Sequence, residues 1–223
     1  MGELKLKRKL FRLVGLLFPA LYVGADRLHA GAGWVSATGL LVLFLAIMVT
    51  LEYARFHRPG VNRWVFDHFR DFTKEKERNR TSSTTQFLLA CLLTILLFDK
   101  GVALAAMLLL VFGDPVAEII GTRWGRTPLM GKSLEGTLGG LTACLLSMIP
   151  LAATGTGPTP SVLILGAFAA ALFELLPSPL DDNFIIPLAS GIVMTLAVAF
   201  GVGGTGGMLM MSPLIEGLLA RSG

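Results

Sequence analysis

Long apolar blocks, separated by short polar segments, are the feature that most constrains this sequence. A helix that crosses a bilayer needs about 20 mostly apolar residues, and seven stretches approach that length. Of the 223 residues, 53% are hydrophobic and 15% are charged, whereas soluble domains carry about a quarter charged residues. We therefore predict an all-α, polytopic transmembrane helix bundle of about seven spans, forming a single domain over residues 1–223. The predicted spans are 11–28, 35–51, 83–98, 101–120, 136–153, 161–177 and 184–204, and a weaker segment follows at 207–220.

The basic residues indicate how these spans are oriented. If the N-terminus is cytoplasmic, the inner segments 1–12, 52–82 and 121–135 hold five, eight and three of the 19 Lys and Arg residues. Cytoplasmic loops show this excess of positive charge. The topology accounts for the net charge of +4, so no nucleic-acid partner is predicted. All polar clusters then face the cytoplasm, and the sequence favours a prokaryotic cytoplasmic membrane as the location.

Two carboxylates lie near the end of the fourth predicted span. Asp114 and Glu118 are four residues apart and therefore share one face of a helix. Carboxylates at membrane depth face a cavity or a partner, and proteins hold Mg²⁺ with one or two carboxylates together with phosphate oxygens. The spacing predicts a divalent-cation site. A structural alternative exists, because Asp114 followed by Pro115 is also typical of a helix start.

The segment 125–140 is basic and rich in glycine. It contains the tripeptide GKS at 131–133, but five residues separate this glycine from the preceding one, where a Walker loop has four. The glycines that follow permit close approach of the backbone, and the start of the next helix favours an anion. With the charges of Arg123, Arg126 and Lys132, the segment predicts phosphate binding. Alternatively, these are positive-inside residues and glycines that pack helices together.

Two further polar clusters carry candidate chemistry. Asp181 and Asp182 lie in a loop between two spans, where adjacent carboxylates can share a metal, or one can accept a proton while the other binds metal. The alternative is a turn in which Asp caps the next helix. Glu174, inside the sixth span, requires a partner or a cavity. In LEYARFHRPGVNRW, residues 51–64, the arginines either hold a lipid or nucleotide phosphate or anchor the chain at the membrane surface.

Together these motifs resemble the polyprenol kinase family, which groups CTP-dependent dolichol, phytol and diacylglycerol kinases within the wider cytidylyltransferase superfamily. The matching segments occur in the family's order and cover nearly the whole chain. They are RKLFR, LEYARFHRPGVN, Glu77-Arg78, FGDPVAEIIGTRWGR, GKSLEGTLGG and the final Glu…Asp-Asp-Asn…Pro series.

The resemblance implies Mg²⁺-assisted transfer of a phosphoryl group from CTP to a lipid alcohol at the cytoplasmic face. Asp182 is predicted to orient or deprotonate the lipid hydroxyl, with Asp114 and Lys132 as the other catalytic residues. Predicted metal ligands are Asp114, Glu118, Asp181 and Asp182; predicted phosphate contacts are Arg123, Arg126, Gly131, Lys132, Ser133 and Gly136; predicted lipid or phosphate contacts are Arg55, Asn62 and Asn183.

Two other functions stay open at this point. A phosphatidate cytidylyltransferase would use the same nucleotide and similar carboxylates, although the longer signature of that enzyme is not evident in the sequence. A small ion-coupled transporter would hold a cation at Asp114 and Glu118. A transporter would be expected to carry polar groups on both sides of the bundle, whereas the predicted topology gathers them on one side.

Overall fold

The computed structural model of the chain describes residues 12–69 and 77–203. Over these residues the regular secondary structure is helical apart from one two-stranded ribbon, which confirms the all-α prediction. The chain divides into two compact units, residues 1–89 and 90–223. The basic start that includes RKLFR and the weak segment 207–220 lie outside the described residues, and the orientation of the N-terminus stays a prediction.

The first unit is built around one long helix. A short 3₁₀ turn, Arg12–Leu16, leads into α1 (Leu17–Leu28), which packs against α2 (Ala32–His57). Helix α1 approaches the start of α2 so closely that a Cβ added at Gly33 would lie 2.0 Å from the carbonyl oxygen of Tyr22. Helix α3 (Pro59–His68) follows α2, and α4 (Ser83–Leu97) begins in this unit.

The second unit contains the end of α4 and four packed helices. Its elements are α5 (Lys100–Trp124), the ribbon β1 (Pro128–Leu129) and β2 (Lys132–Ser133), α6 (Leu134–Thr154), α7 (Pro160–Leu175) and α8 (Asp182–Ala199). Helix α5 lies at the centre, because it contacts α6, α7 and α8. Of its most apolar 18-residue stretch, 67% is buried, which suits a helix that is apolar on nearly every side.

All of the described α-helices except α3 correspond in position to one of the seven predicted spans, but they differ from these spans in length. Four of them, α2, α5, α6 and α8, are long and apolar enough to cross a membrane. Helices α1, α4 and α7 have 12, 15 and 16 residues, which is short of the roughly 20 that a full span needs. The structure is that of a membrane-type helical protein, and the number of seven spans is not confirmed.

Small residues bring α5 and α6 into close contact. A Cβ on Gly140 would lie 2.7 Å from the Cβ of Ala117, and one on Gly136 would lie 2.8 Å from the carbonyl oxygen of Ala117. Farther along, a Cβ on Gly113 would lie 2.5 Å from the sulfur of Cys144. Such small residues let helix backbones approach in a bilayer, where van der Waals packing replaces the hydrophobic effect. The glycines after Ser133 therefore pack helices together.

The alternative interpretation of Asp114 and Pro115 as a helix start is wrong. Helix α5 begins at Lys100, where the carboxylate of Asp99 accepts a hydrogen bond from the Gly101 N–H at 2.9 Å. It then continues through Pro115 to Trp124. A proline inside a helix removes one backbone hydrogen bond, but the contacts of α5 with three neighbours outweigh that loss. Asp114 is therefore an interior residue of a buried helix.

Candidate functional site

Three carboxylates meet at one end of the second unit. Asp114 lies on α5, Glu174 lies in the last turn of α7, and Asp182 is the first residue of α8. Each offers one oxygen, and these oxygens lie within 4.8 Å of one another. Asp114 and Glu174 are buried, with 6% and 7% exposure, whereas the Asp182 side chain is about a third exposed. We refer to these three residues as the carboxylate cluster.

Lys132 supplies a positive charge to this cluster. Its Nζ atom donates to Glu174 Oε1 at 2.8 Å and to Asp182 Oδ2 at 3.1 Å, and also to the backbone carbonyl of Glu174. Burial alone lowers the pKa of Lys132, but the hydrogen bond with Glu174 and the charge of Asp182 outweigh it, so the pKa is raised. Lys132 is therefore charged at neutral pH, and its ion pairs are lost only as the pH rises through that raised pKa.

The position of Lys132 is set by a tight hairpin. Strands β1 and β2 pair antiparallel, with Leu129 opposite Lys132, and only Met130 and Gly131 connect them. Both connecting residues have positive φ, 48° and 85°, as a two-residue hairpin of type I′ requires. Gly131, a predicted phosphate contact, is thus the turn glycine. The GKS tripeptide forms the end of a ribbon, consistent with the departure from Walker spacing.

The residues after the hairpin begin α6. The Ser133 hydroxyl caps this helix by accepting from the Gly136 N–H at 3.1 Å, and Gly136 is buried against α5. Glu135 accepts from the backbone N–H groups of Arg126 and Thr127 at 3.0 and 3.1 Å, and so ties the loop to the helix start. The phosphate contacts predicted for Ser133 and Gly136 stay predictions, because both residues have structural partners in this arrangement.

The other predicted basic contacts lie at the surface. Arg123 and Arg126 are exposed, and the Arg123 guanidinium lies over the ring of its neighbour Trp124, at 5.2 Å from the ring centroid. Among the three basic residues predicted to contact phosphate, Lys132 contacts the carboxylate cluster. Arg123 lies in the last turn of α5 and Arg126 on the exposed loop that follows, where both are available to an anionic ligand.

The predicted metal ligands divide into two groups. Asp114 and Asp182 come together in the carboxylate cluster, while Glu118 and Asp181 lie outside it. Asp181 caps α8: its Oδ1 accepts from the Asn183 N–H at 3.1 Å and from the Asn183 side-chain amide. Glu174 was not predicted as a ligand. Its signal in the sequence was a lone carboxylate inside an apolar span, for which we expected a partner or a cavity.

Arg55 belongs to a buried network within the first unit. Its guanidinium donates to Glu52 Oε2 at 2.9 Å and to the backbone carbonyls of Glu77 and Arg80 at 2.7 and 2.8 Å. Arg55 is only 4% exposed, so it holds the chain after residue 76 against α2. Asn62 reinforces this connection through a 3.1 Å hydrogen bond to the carbonyl of Arg78. Contacts of Arg55 and Asn62 with a lipid or phosphate stay predictions, which this geometry does not favour.

The carboxylate cluster suits a hard divalent cation. Its donors are oxygens, the ligands that Mg²⁺ and Ca²⁺ prefer, and two oxygens on opposite sides of Mg²⁺ lie about 4.2 Å apart. The observed spread of up to 4.8 Å needs only a small contraction, for which the partly exposed Asp182 leaves room. Three carboxylates and Lys132 carry a formal charge of −2, which one divalent cation neutralises.

A small apolar recess adjoins the buried side of the cluster. It has an empty volume of about 210 Å³, counting the space at its open mouth, and all four packed helices line it. Asp114 and Glu174 supply its polar end, while small residues such as Gly140, Ala170 and Ala171 line the rest. The recess thus places small apolar side chains directly beside the carboxylate cluster.

Comparison with known proteins identifies three relatives. An uncharacterized protein of Rickettsia prowazekii is 25% identical over 196 residues, which cover 85% of this chain and 93% of that protein. CTP-dependent diacylglycerol kinase 1 of Schizosaccharomyces pombe is 27% identical over 183 residues, covering 74% of this chain and 84% of the relative. The protein of the same name from Eremothecium gossypii is 27% identical over 185 residues, covering 72% of this chain and 58% of the relative.

No family model matches the chain, and no solved structure matches it. The two kinases nevertheless agree with the family that the motifs indicated, and they align with most of this chain. The resemblance of this chain to the CTP-dependent lipid kinases is thereby confirmed.

Proposed function

We propose that this protein transfers the γ-phosphoryl group of CTP to the hydroxyl of a membrane lipid alcohol, with diacylglycerol as the first candidate acceptor. The observation that carries the proposal is the carboxylate cluster with Lys132 at one end of an apolar helix bundle. The names of the two kinase relatives support the choice of CTP and of diacylglycerol. Polyprenol-type and phytol-type alcohols are the other acceptors to test.

Asp114, Glu174 and Asp182 would hold Mg²⁺ in this proposal. The cation, when bound, neutralises charge on the transferring phosphoryl group and its leaving oxygens. Lys132 adds an ammonium group beside the cluster, and Arg123 and Arg126 extend the positive charge over the loop. Phosphoryl transfer depends mainly on such positioning and charge stabilisation. We place the reaction at the cytoplasmic face, following the distribution of basic residues.

The two sides of the cluster suggest where each substrate binds. The exposed side, with Lys132 and Asp182, suits a nucleotide that arrives from water, whereas the apolar recess on the buried side suits the hydroxyl-bearing end of a lipid. In the reaction the acceptor oxygen bonds to the γ-phosphorus, the bond to the β-phosphate oxygen breaks, and CDP leaves. We propose that Asp182 orients the hydroxyl and accepts its proton, because it belongs to the cluster and remains partly accessible.

The experiment that tests this function follows the label of the nucleotide. Purified protein in detergent is supplied with Mg²⁺, γ-labelled CTP or ATP, and a panel of lipid alcohols and phosphatidate. Label on a lipid alcohol, from CTP and not from ATP, is the expected result and names the acceptor. Label released as pyrophosphate with phosphatidate as acceptor identifies a cytidylyltransferase instead. Absence of CTP-dependent label transfer with every acceptor overturns the proposal.

A further inference from the structure

We propose that Lys132 is a tethered counter-cation of the carboxylate cluster, which competes with the divalent cation for Glu174 and Asp182 and turns to the nucleotide phosphates when that cation binds. Lys132 is then a positioning residue that links occupation of the metal site to capture of the nucleotide. The inference rests on the proposed function, because it presumes that the carboxylate cluster is a cation site.

The Lys132 ammonium occupies a place beside two of the candidate cation ligands. Its Nζ atom is bonded to Glu174 Oε1 at 2.8 Å and to Asp182 Oδ2 at 3.1 Å, and these two residues are also candidate cation ligands. A divalent cation that binds both oxygens must come within a few ångströms of Nζ. Like charges at such a distance repel strongly wherever solvent is partly excluded. The ammonium and the cation therefore compete for the same two carboxylates.

Lys132 is freer to move than the buried carboxylates of the cluster. Asp114 and Glu174 are buried on packed helices, so their positions are fixed by the bundle. The Lys132 side chain is 31% exposed, and its four-carbon stem lets the ammonium rotate while the hairpin holds the backbone. The displaced group is thus Lys132, and the exposed side of the cluster is the direction open to it.

The charge of the cluster also favours release of Lys132 when a divalent cation binds. With Lys132 in place the cluster carries −2, and a divalent cation brings this to zero. The cation then satisfies the carboxylates that Lys132 had neutralised, so the ammonium gains a stronger partner in a nucleotide phosphate. Lys132 would hold Glu174 and Asp182 together before the substrate arrives and would contact phosphate afterwards. If Lys132 only held the carboxylates together, its removal would weaken cation binding.

The test measures binding of Mn²⁺ by electron paramagnetic resonance, without nucleotide, at pH 8 in detergent. The variants are Lys132→Gln, Lys132→Arg and, as a control for net charge on the same face, Arg123→Gln. We expect Lys132→Gln to bind Mn²⁺ at least about tenfold more tightly than the unmodified protein, since a competing charge is removed. Lys132→Arg keeps that charge and Arg123→Gln removes one that does not contact the cluster, so both should stay within about twofold.

Each outcome distinguishes the inference from the function on which it rests. Unchanged or weaker Mn²⁺ binding in Lys132→Gln, with binding by the unmodified protein, overturns the inference and leaves the metal site standing. Equal tightening in Arg123→Gln also overturns it, because net charge would then be the cause. No Mn²⁺ binding by any of the four proteins overturns both the inference and the metal site of the proposed function.

A second measurement needs no substitution and so does not depend on the folding of a variant. The unmodified protein is treated briefly with an isotopically labelled acetylating reagent, with and without Mn²⁺, and Lys132 is quantified by mass spectrometry against the other lysines. An ammonium released from its carboxylates should be acetylated several-fold faster in Mn²⁺. A rate that is unchanged or lower relative to those lysines overturns the inference.

Discussion

The Nζ atom of Lys132 lies 2.8 Å from Oε1 of Glu174, although 42 positions of sequence separate the two residues. The contact joins the hairpin before α6 to the last turn of α7, at the end of the unit where α8 begins. The contact brings a positive charge from the hairpin to a buried carboxylate. An unpaired carboxylate would be costly in an apolar bundle.

Glu174→Gln should distinguish the observed cluster from the ligand set predicted from the sequence. The amide keeps the shape of the side chain but removes its charge, so we expect kinase activity to fall by about 100-fold or more and Mn²⁺ binding to weaken. Glu118→Gln, one turn along α5, should have a much smaller effect. Label transfer from CTP and Mn²⁺ binding would be measured together. Equal losses in the two variants would favour the predicted set with Glu118.

The adjacent residues Asp181 and Asp182 should separate into a helix cap and a site residue. Asp182→Asn is expected to reduce turnover by orders of magnitude while the protein remains folded. Asp181→Asn should retain activity, because Asn is an equally good cap, whereas Asp181→Ala should cost about 1 kcal/mol of stability. Turnover and thermal unfolding of the three variants provide the check. Near-normal turnover in Asp182→Asn would remove that residue from the proposed mechanism.

Filling the recess should affect the lipid and spare the cation. Ala170→Leu adds volume beside the buried side of the cluster, so the apparent KM for the lipid acceptor should rise by about tenfold or more, or turnover should be lost. Mn²⁺ binding should be unchanged. Ala153→Leu adds the same volume at an exposed position of α6 and is the matched control. An unchanged KM in Ala170→Leu would show that the acceptor does not use this recess.

Gly140→Ala should destabilise the second unit through its packing. The new Cβ would lie 2.7 Å from the Cβ of Ala117, and overpacking of this kind costs about 1–3 kcal/mol. Gly39→Ala, in α2, is the matched control because a Cβ there meets no atom within 4 Å and Ala favours a helix. Thermal unfolding in detergent should therefore shift down for the first and not for the second. Equal shifts would contradict the close α5–α6 contact.

Arg55→Met should be more harmful than Arg58→Met. Removing the Arg55 guanidinium takes away the charged partner of the buried Glu52 carboxylate, which then keeps the hydrogen bonds from Ser82 and Thr85. Breaking a buried ion pair costs about 3–5 kcal/mol. Arg58 is exposed, so its loss should change stability by less than about 1 kcal/mol. Limited proteolysis between residues 70 and 82 and thermal unfolding would report the difference. A fold that tolerates Arg55→Met would contradict the structural role of the network.

The positions of the helices were predictable because apolar blocks this long leave few alternatives. Asp114 and Asp182 were also predicted to share a metal site, because their motifs resemble those of one kinase family. Their convergence with Glu174 could not be read from the sequence, because it depends on how α5, α7 and α8 pack. Asp114 and Glu118 share a helix face by spacing, but successive turns of a central helix meet different neighbours.

The hairpin and the caps show a second limit of the sequence. The tripeptide GKS resembles a phosphate loop by composition. The positive φ angles of Met130 and Gly131 instead place Gly131 in a two-residue turn, and Lys132 and Ser133 form the strand that follows. Asp181 and Asp182 are chemically equivalent as neighbours, and only the start of α8 between them assigns one to capping and the other to the cluster. Backbone geometry, which residue types do not determine locally, made both distinctions.

The two-residue turn has a consequence for how this segment can vary in length. Successive residues of a strand point to opposite faces, so Lys132 reaches the carboxylates while Ser133 faces α5. A Cβ added at Gly121 would lie 2.9 Å from the Ser133 hydroxyl. Inserting or deleting one residue in the turn would exchange these two directions. The contact of Lys132 with the carboxylate cluster and the packing of Ser133 against α5 thus depend on the register of the ribbon as well as on residue type. A change in the length of the turn would disrupt both at once.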